Sequence, residues 1–135
     1  RFCPGNRFND IADSDPAATF EALLRGLDGL NLAYLHIMRA HTRKVDAFAT
    51  ARALFKGPLI VNDGFEPDTA EQMVAEGLAD AVSFGRHFIA NPDLVRRIGE
   101  GLPLAEFDRH TLYSPGPEGY IDYPEADSRS QEEIS

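Results

Sequence analysis

Apolar positions along the chain fall into two rhythms. After Asp15-Pro16, which reads as a helix start, Phe20, Leu23, Leu24 and Leu27 recur at helical spacing on one face, and Gly29 reads as a stop. That predicts a helix over about Pro16 to Leu27. The run Leu32 to Met38 (LAYLHIM) is short, nearly continuous in apolar character and flanked by polar residues, as a strand buried on both faces would be. A second helix carries Val45, Phe48, Ala49, Arg52 and Phe55 and is closed by Gly57-Pro58. Leu59 to Val61 predicts a second buried strand, ending in the turn Asn62-Asp63-Gly64. A third helix follows Pro67, with Ala70, Met73, Val74 and Gly77 on one face, and Ala81 to Phe84 is the third strand. The last helix is expected from Asn91-Pro92, with Leu94, Val95 and Ile98 facing inward.

The strands start 27 residues apart from Leu32 to Leu59 and 22 apart from Leu59 to Ala81. Such spacing leaves room for a helical crossover and not for a hairpin, so the strands should be parallel and the βα units right-handed. The class is α/β. An open sheet of three parallel strands would leave two edges unpaired. A (β/α)8 barrel needs roughly 250 residues, so this chain supplies about half of one.

Composition narrows the picture. At 135 residues and 43% hydrophobic, the chain has the size and apolar content of one domain. No apolar run approaches the roughly 18 residues of a membrane helix and no signal-peptide pattern opens the chain, so the expectation is a soluble, cytoplasmic protein without a membrane partner. A net charge of −9 with scattered basic residues argues against nucleic acid. Cys3 is the single cysteine and can form no internal disulfide. The chain opens Arg-Phe-Cys-Pro without an initiator methionine, which reads as a fragment, a processed product or a trimmed chain.

Two features fall where α/β proteins bind ligands, at the C-terminal ends of strands. Val61 to Phe65 (VNDGF) follows the second strand and Phe84 to Arg86 (FGR) follows the third. Backbone N–H groups exposed by Gly64 and Gly85, with the Arg86 cation, can form a phosphate cradle. The alternative is that both glycines only serve tight βα turns and that Arg86 is solvated. His36 lies in or at the end of a strand and reads as structural, whereas His41, His87 and His110 have polar neighbours and read as surface residues. No pair has metal-ligand spacing, so no metal site is expected. The acidic run after Pro124 reads as a disordered tail, which divides the chain into residues 1–123 and 124–135.

Five stretches, in order, resemble the C-terminal half of the old yellow enzyme family: RFCPGNRFNDIADSDP, LAYLHI, LIVNDGF, AEGLADAVSFGRHFIANPDL and TLYSPGPEGYIDYP. The resemblance runs from Arg1 to about Pro124, and it implies the C-terminal half of a (β/α)8 barrel from an FMN-dependent ene-reductase. By position, Arg1 resembles the arginine at the end of the fifth barrel strand, beside the flavin N1 and O2, where a fixed cation favours the reduced flavin. Asn62, Asp63, Gly64, Gly85 and Arg86 resemble the family's FMN phosphate region, and Tyr113 resembles an aromatic that lines the substrate pocket. Three positions depart from the pattern. Leu112 replaces an aromatic, Cys3 a serine, and Asp63 a glycine or other small residue. A carboxylate ~6 Å from a phosphate would cost about 2–3 kcal/mol at an effective dielectric near 20 unless it points away.

The resemblance further implies reduction of an activated alkene, such as an α,β-unsaturated carbonyl, by NADH or NADPH through FMN. The family's substrate-binding pair and tyrosine proton donor belong to its N-terminal half, so no catalytic residue is assigned to this chain. Three readings stay open. The chain is part of an ene-reductase and inactive alone, or it is a non-catalytic half-barrel that binds phosphate or assembles, or it belongs to another flavin barrel. On the first two, the strands at Leu32–Ile37 and Ala81–Phe84 would each lack a neighbour on one side. The expected partner is therefore an N-terminal half-barrel or a second copy in a homodimer.

Overall fold

A computed structural model describes residues 1–126 and resolves two compact units, Arg1–Ser83 and Phe84 onward. Residues 127–135, most of the expected disordered tail, lie outside the described residues.

The first unit is a parallel three-stranded sheet with helices. Helix α1 (Pro16–Leu27) starts where the sequence says, because Asp15 accepts the Ala18 N–H at 3.1 Å and Pro16 needs no acceptor for its nitrogen. It buries Phe20 and Leu24. Strands β1 (Leu35–Met38), β2 (Leu59–Asn62) and β3 (Ala81–Ser83) lie in the order β1-β2-β3, with Leu35 opposite Leu59 and Asn62 opposite Ser83. Helix α2 (Ala47–Leu54) is capped by Asp46 and packs on β1 and β2. Helix α3 (Pro67–Ala75) packs beside β3, and the Thr69 hydroxyl accepts the Glu66 N–H at its start.

Two expectations about the strands are corrected. β1 begins at Leu35 and not at Leu32, because the Leu35 N–H is the one that finds a β2-side partner, the Pro58 carbonyl at 2.9 Å. Leu32 and Tyr34 are exposed. Nor are the strands buried on both faces. Leu35, Ile37, Leu59 and Val61 are buried, while His36, Met38, Ile60 and Asn62 on the other face are half-buried. Side chains alternate along a strand, and only one face meets the core.

A third correction concerns the outer edge of β1. It is not bare: the Phe2 N–H donates to the His36 carbonyl and the Phe2 carbonyl accepts the Met38 N–H, both at 2.9 Å, so Phe2 lies parallel to Ile37. The far end of the sheet is pinned by Asp80. Its carboxylate accepts the Leu59 N–H at 2.7 Å and an Arg52 N–H at 2.9 Å, and Arg52 also donates to the carbonyls of Phe55 and Gly57.

Among the described residues, the second unit holds two short helices, α4 (Arg86–Ala90) and α5 (Leu94–Glu100), and a 3-10 turn at Arg109–Thr111. From the sequence, Arg86 follows the third strand and one helix is expected from Asn91-Pro92. The structure makes Arg86 the first residue of α4 and starts α5 at Leu94. Leu94 is buried as expected, but Val95 is 75% exposed, and the other buried position on α5 is Arg97. Asn91 and Asp93 organise this unit. Asn91, fully buried, donates through its amide to the His87 and Ala105 carbonyls and accepts the Ala105 N–H at 2.8 Å. Asp93 takes 2.7 Å hydrogen bonds from Arg96 and Arg97 and accepts the Ala126 N–H, while Arg97 also reaches the carbonyls of Pro103 and Pro124. Pro124 and Ala126, placed by sequence in the tail, are thus tied to α5.

Candidate functional site

In the first unit the residues singled out by sequence gather at the C-terminal ends of the strands. β2 ends at Asn62 and the chain then takes two successive positive-φ residues, Asp63 (φ 86°) and Gly64 (φ 73°). Glycine adopts such an angle at no steric cost, whereas aspartate does so uncommonly. Among the described residues, the N–H groups of Asp63 and Gly64 meet no protein acceptor. Around this turn stand two side chains whose part in it the sequence does not show. Arg39 donates from Nε to the Asp63 carbonyl at 3.1 Å, and His41 Nε2 lies 3.1 Å from Asp63 Oδ2. His41 is exposed, as its polar neighbours suggest, and from the surface it also reaches the carboxylate of the candidate turn.

Asn62 faces the other way. Its amide donates to the Ser83 carbonyl at 2.7 Å and to the Ser83 hydroxyl at 3.0 Å, and that hydroxyl lies 2.9 Å from His36 Nε2. A polar row therefore crosses all three strands on the face away from the core. Burial lowers the His36 pKa below its ordinary value, and the Arg1 cation and the amino terminus lower it further. At neutral pH the ring is uncharged. Arg1 itself is exposed. The Cys3 thiol is pushed up, first by burial and then by the Asp63 carboxylate, against the pull of Arg1.

A cleft of about 420 Å³ opens nearby, bounded by Asn6, Arg7, Asp10, Asp13, Thr42 and Lys44. None of the sequence-predicted site residues lines it. Gly5 on its wall has φ +70°, and an added Cβ there would collide with Thr42.

In the second unit, Gly85 precedes α4 and Arg86 opens it. Gly85 has φ −97°, which any residue adopts, and an added Cβ would meet nothing within 4 Å. Neither conformation nor packing within the described residues calls for glycine. Arg86 is exposed, 5.8 Å from the centre of the Phe107 ring, and no carboxylate pairs with it among the described residues. A helix start without a Cβ in front of it, followed by an exposed guanidinium, suits an anion with several acceptor oxygens. Tyr113 lies just past the 3-10 turn and is 100% exposed, so no contact among the described residues accounts for its ring. In sequence Asn91 stands out as a helix start and Asp93 only as part of the FIANPDL string. No group of three potential ligands is placed to hold a metal ion, and no helix is long and apolar enough to cross a membrane, among the described residues.

The chain resembles known proteins along most of its length. Residues 5–105 match the sequence model of the NADH:flavin oxidoreductase / NADH oxidase family. A protein of Leishmania infantum named as a probable flavin mononucleotide-dependent alkene reductase is 40% identical over 128 residues, covering 92% of this chain and 34% of that relative. The solved structure of the old yellow enzyme from Trypanosoma cruzi superposes with a TM-score of 0.86 at 37% identity, over 93% of this chain and 34% of that one. Morphinone reductase in complex with tetrahydroNAD superposes with a TM-score of 0.84, also at 37% identity, over 93% and 35%. The chain therefore spans about a third of the length of these relatives, and its parallel βα units are those of a (β/α)8 barrel.

Proposed function

Because the chain belongs to the NADH:flavin oxidoreductase / NADH oxidase family, we propose that it carries FMN contacts of an ene-reductase that acts on α,β-unsaturated carbonyl compounds. The observation that carries this reading is Gly85. It is a glycine that neither its backbone angle nor its neighbours require, set directly before an exposed arginine at a helix start. Gly26, Gly29 and Gly99 are equally unobstructed, and what sets Gly85 apart is its place after β3 and before an exposed arginine, where we read the space as room for a ligand oxygen.

In this reading Gly85 offers its unobstructed backbone and Arg86 its guanidinium to the FMN phosphate. Taken by itself, the first unit offers FMN Asn62, Asp63 and Gly64 at the end of β2, where two N–H groups meet no protein acceptor among the described residues. Arg1 supplies a cation to the flavin edge, and Tyr113 offers its exposed ring to the substrate. The chemistry that bound FMN supplies is hydride transfer, in from NADH or NADPH and out to the alkene β-carbon. Within this chain His36 is held neutral and bonded to Ser83, so it is not set up as the proton donor for the α-carbon. The chain alone then holds cofactor contacts without a proton donor, binds FMN weakly and does not turn over. It works in the cytoplasm beside a complementary half-barrel, or a second copy, that covers the outer edge of β3 and the polar face of the sheet.

The test is flavin retention in the catalytically complete protein carrying this chain. Arg86→Ala removes a charge-assisted contact worth roughly 1.5–3 kcal/mol and should weaken FMN binding about ten- to a hundredfold, with little change in flavin-free stability. Equal FMN content in mutant and parent would return Arg86 to a solvated surface role.

A further inference from the structure

An acidic residue in a positive-φ turn beside an anion site needs a reason to stay there. Asp63, at φ 86°, stands farther from the left-handed helical well near +57° than Asn9, Asp10 or Asn31, the other non-glycine residues of positive φ among those described. It also carries the same sign of charge as a phosphate. We infer that Arg39 and His41 are positioning residues that hold the Asp63–Gly64 turn open to the FMN phosphate, Arg39 by drawing the Asp63 carbonyl and His41 by drawing its carboxylate toward the β1 side. The inference rests on the FMN reading above and concerns how this chain keeps that site usable with aspartate in it.

Arg39 is itself held firmly. Its guanidinium carbon lies 4.9 Å from the ring centre of Phe48 and 5.0 Å from that of Phe65. Those rings stack on each other at 5.7 Å and are both buried, Phe48 on α2 and Phe65 just past the turn. The backbone N–H of Arg39 donates to the Asn62 carbonyl, the residue before Asp63. A cation fixed by two aromatic faces can pull on the Asp63 carbonyl without moving toward it. The space beyond Gly64 is bounded by the same group, since a Cβ at Gly64 would come 3.7 Å from Arg39 Nε. With its carbonyl turned to Arg39 and its carboxylate to His41, Asp63 leaves its own N–H and that of Gly64 without protein acceptors among the described residues. Successive N–H groups in such a turn form an anion-binding nest.

The experiment is a double-mutant cycle on the full chain: parent, Arg39→Met, Asp63→Gly and both together, each titrated with FMN by flavin fluorescence and by backbone amide shifts. Glycine adopts a positive φ unaided and has no carboxylate, so Arg39 should matter only while Asp63 is present. Arg39→Met is expected to weaken FMN binding about fivefold or more in the parent and less than about twofold after Asp63→Gly, a coupling of the size seen between contacting residues. His41→Ala should behave the same way. Equal losses with and without Asp63→Gly, or no loss in either, would overturn the inference. Should the parent show no response to FMN, the phosphate reading has failed, and the same cycle read as thermal melting of the flavin-free chain decides the positioning claim. Non-additive melts uphold it, and additive melts overturn it.

Discussion

Replacing Asn91 tests how the second unit is built and how α4, with Arg86 at its head, is held. Asn91 has no exposed surface and makes three side-chain hydrogen bonds, to the His87 carbonyl at 2.9 Å, to the Ala105 carbonyl at 3.0 Å and from the Ala105 N–H at 2.8 Å. It thereby acts as a substitute peptide, anchoring the C-terminal end of α4 to the segment at residue 105. Asn91→Ala removes all three and leaves the Ala105 amide without protein partners. Ala105 is only half-buried, so water recovers part of the loss. About 1 kcal/mol per bond, the middle of the range for neutral hydrogen bonds, gives about 3 kcal/mol, which corresponds to roughly 10 °C for a chain of this size. Asn91→Asp sharpens the test. It keeps the size and the acceptor for the Ala105 N–H but sets a carboxylate against two carbonyls, so at neutral pH it should be at least as damaging as alanine. Acidification should recover part of its stability, because a protonated carboxyl can donate to one of those carbonyls. Urea unfolding at pH 7 and pH 4 measures both variants. A loss below about 1 kcal/mol for Asn91→Ala, or an Asn91→Asp variant as stable as the parent at pH 7, would refute this account of the clamp.

Acid should loosen the second unit at Asp93. Burial opposes its ionisation, but hydrogen bonds from Arg97, the Ala126 N–H, its own backbone N–H and Arg96 prevail and hold the carboxyl down at about 2, against an ordinary 3.8. Its contribution is therefore full above pH 3.8 and lost as pH falls from there toward 2, which amide exchange at Ala126 would follow; Asp93→Asn should flatten that window. His36 has the opposite charge change. With its folded pKa lowered, neutral imidazole stabilises the sheet above the ordinary 6.5, and that stability declines as pH falls below it, so His36→Gln should melt with a weaker dependence between pH 7 and 5. The open edge of β3 should drive association, and light scattering at low micromolar concentration is expected to show a dimer or larger species. A compact monomer with a cooperative melt would contradict it.

Much of the fold was legible because helix starts and buried strands write themselves locally. Asp15-Pro16 and Pro67 mark helix starts that the structure keeps, and the 27- and 22-residue spacings lead to the parallel order that it shows. What was not legible depends on partners far along the chain. Nothing in LAYLHIM says that pairing begins only at Leu35, since that is set by Pro58. Phe2 gives no strand signal by itself and pairs because β1 offers it an edge. The buried charge of Arg97 contradicts its type and is understood only through Asp93, Pro103 and Pro124. At the candidate site, the motif strings pointed to Gly64, Gly85 and Arg86. Arg39 and His41 stayed hidden because their importance lies in contacts across 24 and 22 positions to Asp63.

The central claim is that this chain carries FMN phosphate contacts, at the turn after β2 in the first unit and at the start of α4 in the second, each read by itself, and comparing FMN with riboflavin tests it most directly. The two share the flavin ring and differ at the phosphate. Titrated into the isotope-labelled chain, millimolar FMN should shift the amides of Asp63, Gly64, Gly85 and Arg86 by weak, saturable binding, whereas riboflavin at the highest concentration it reaches should leave those four amides in place. Equal shifts from both flavins, or shifts confined to other residues, would contradict the account.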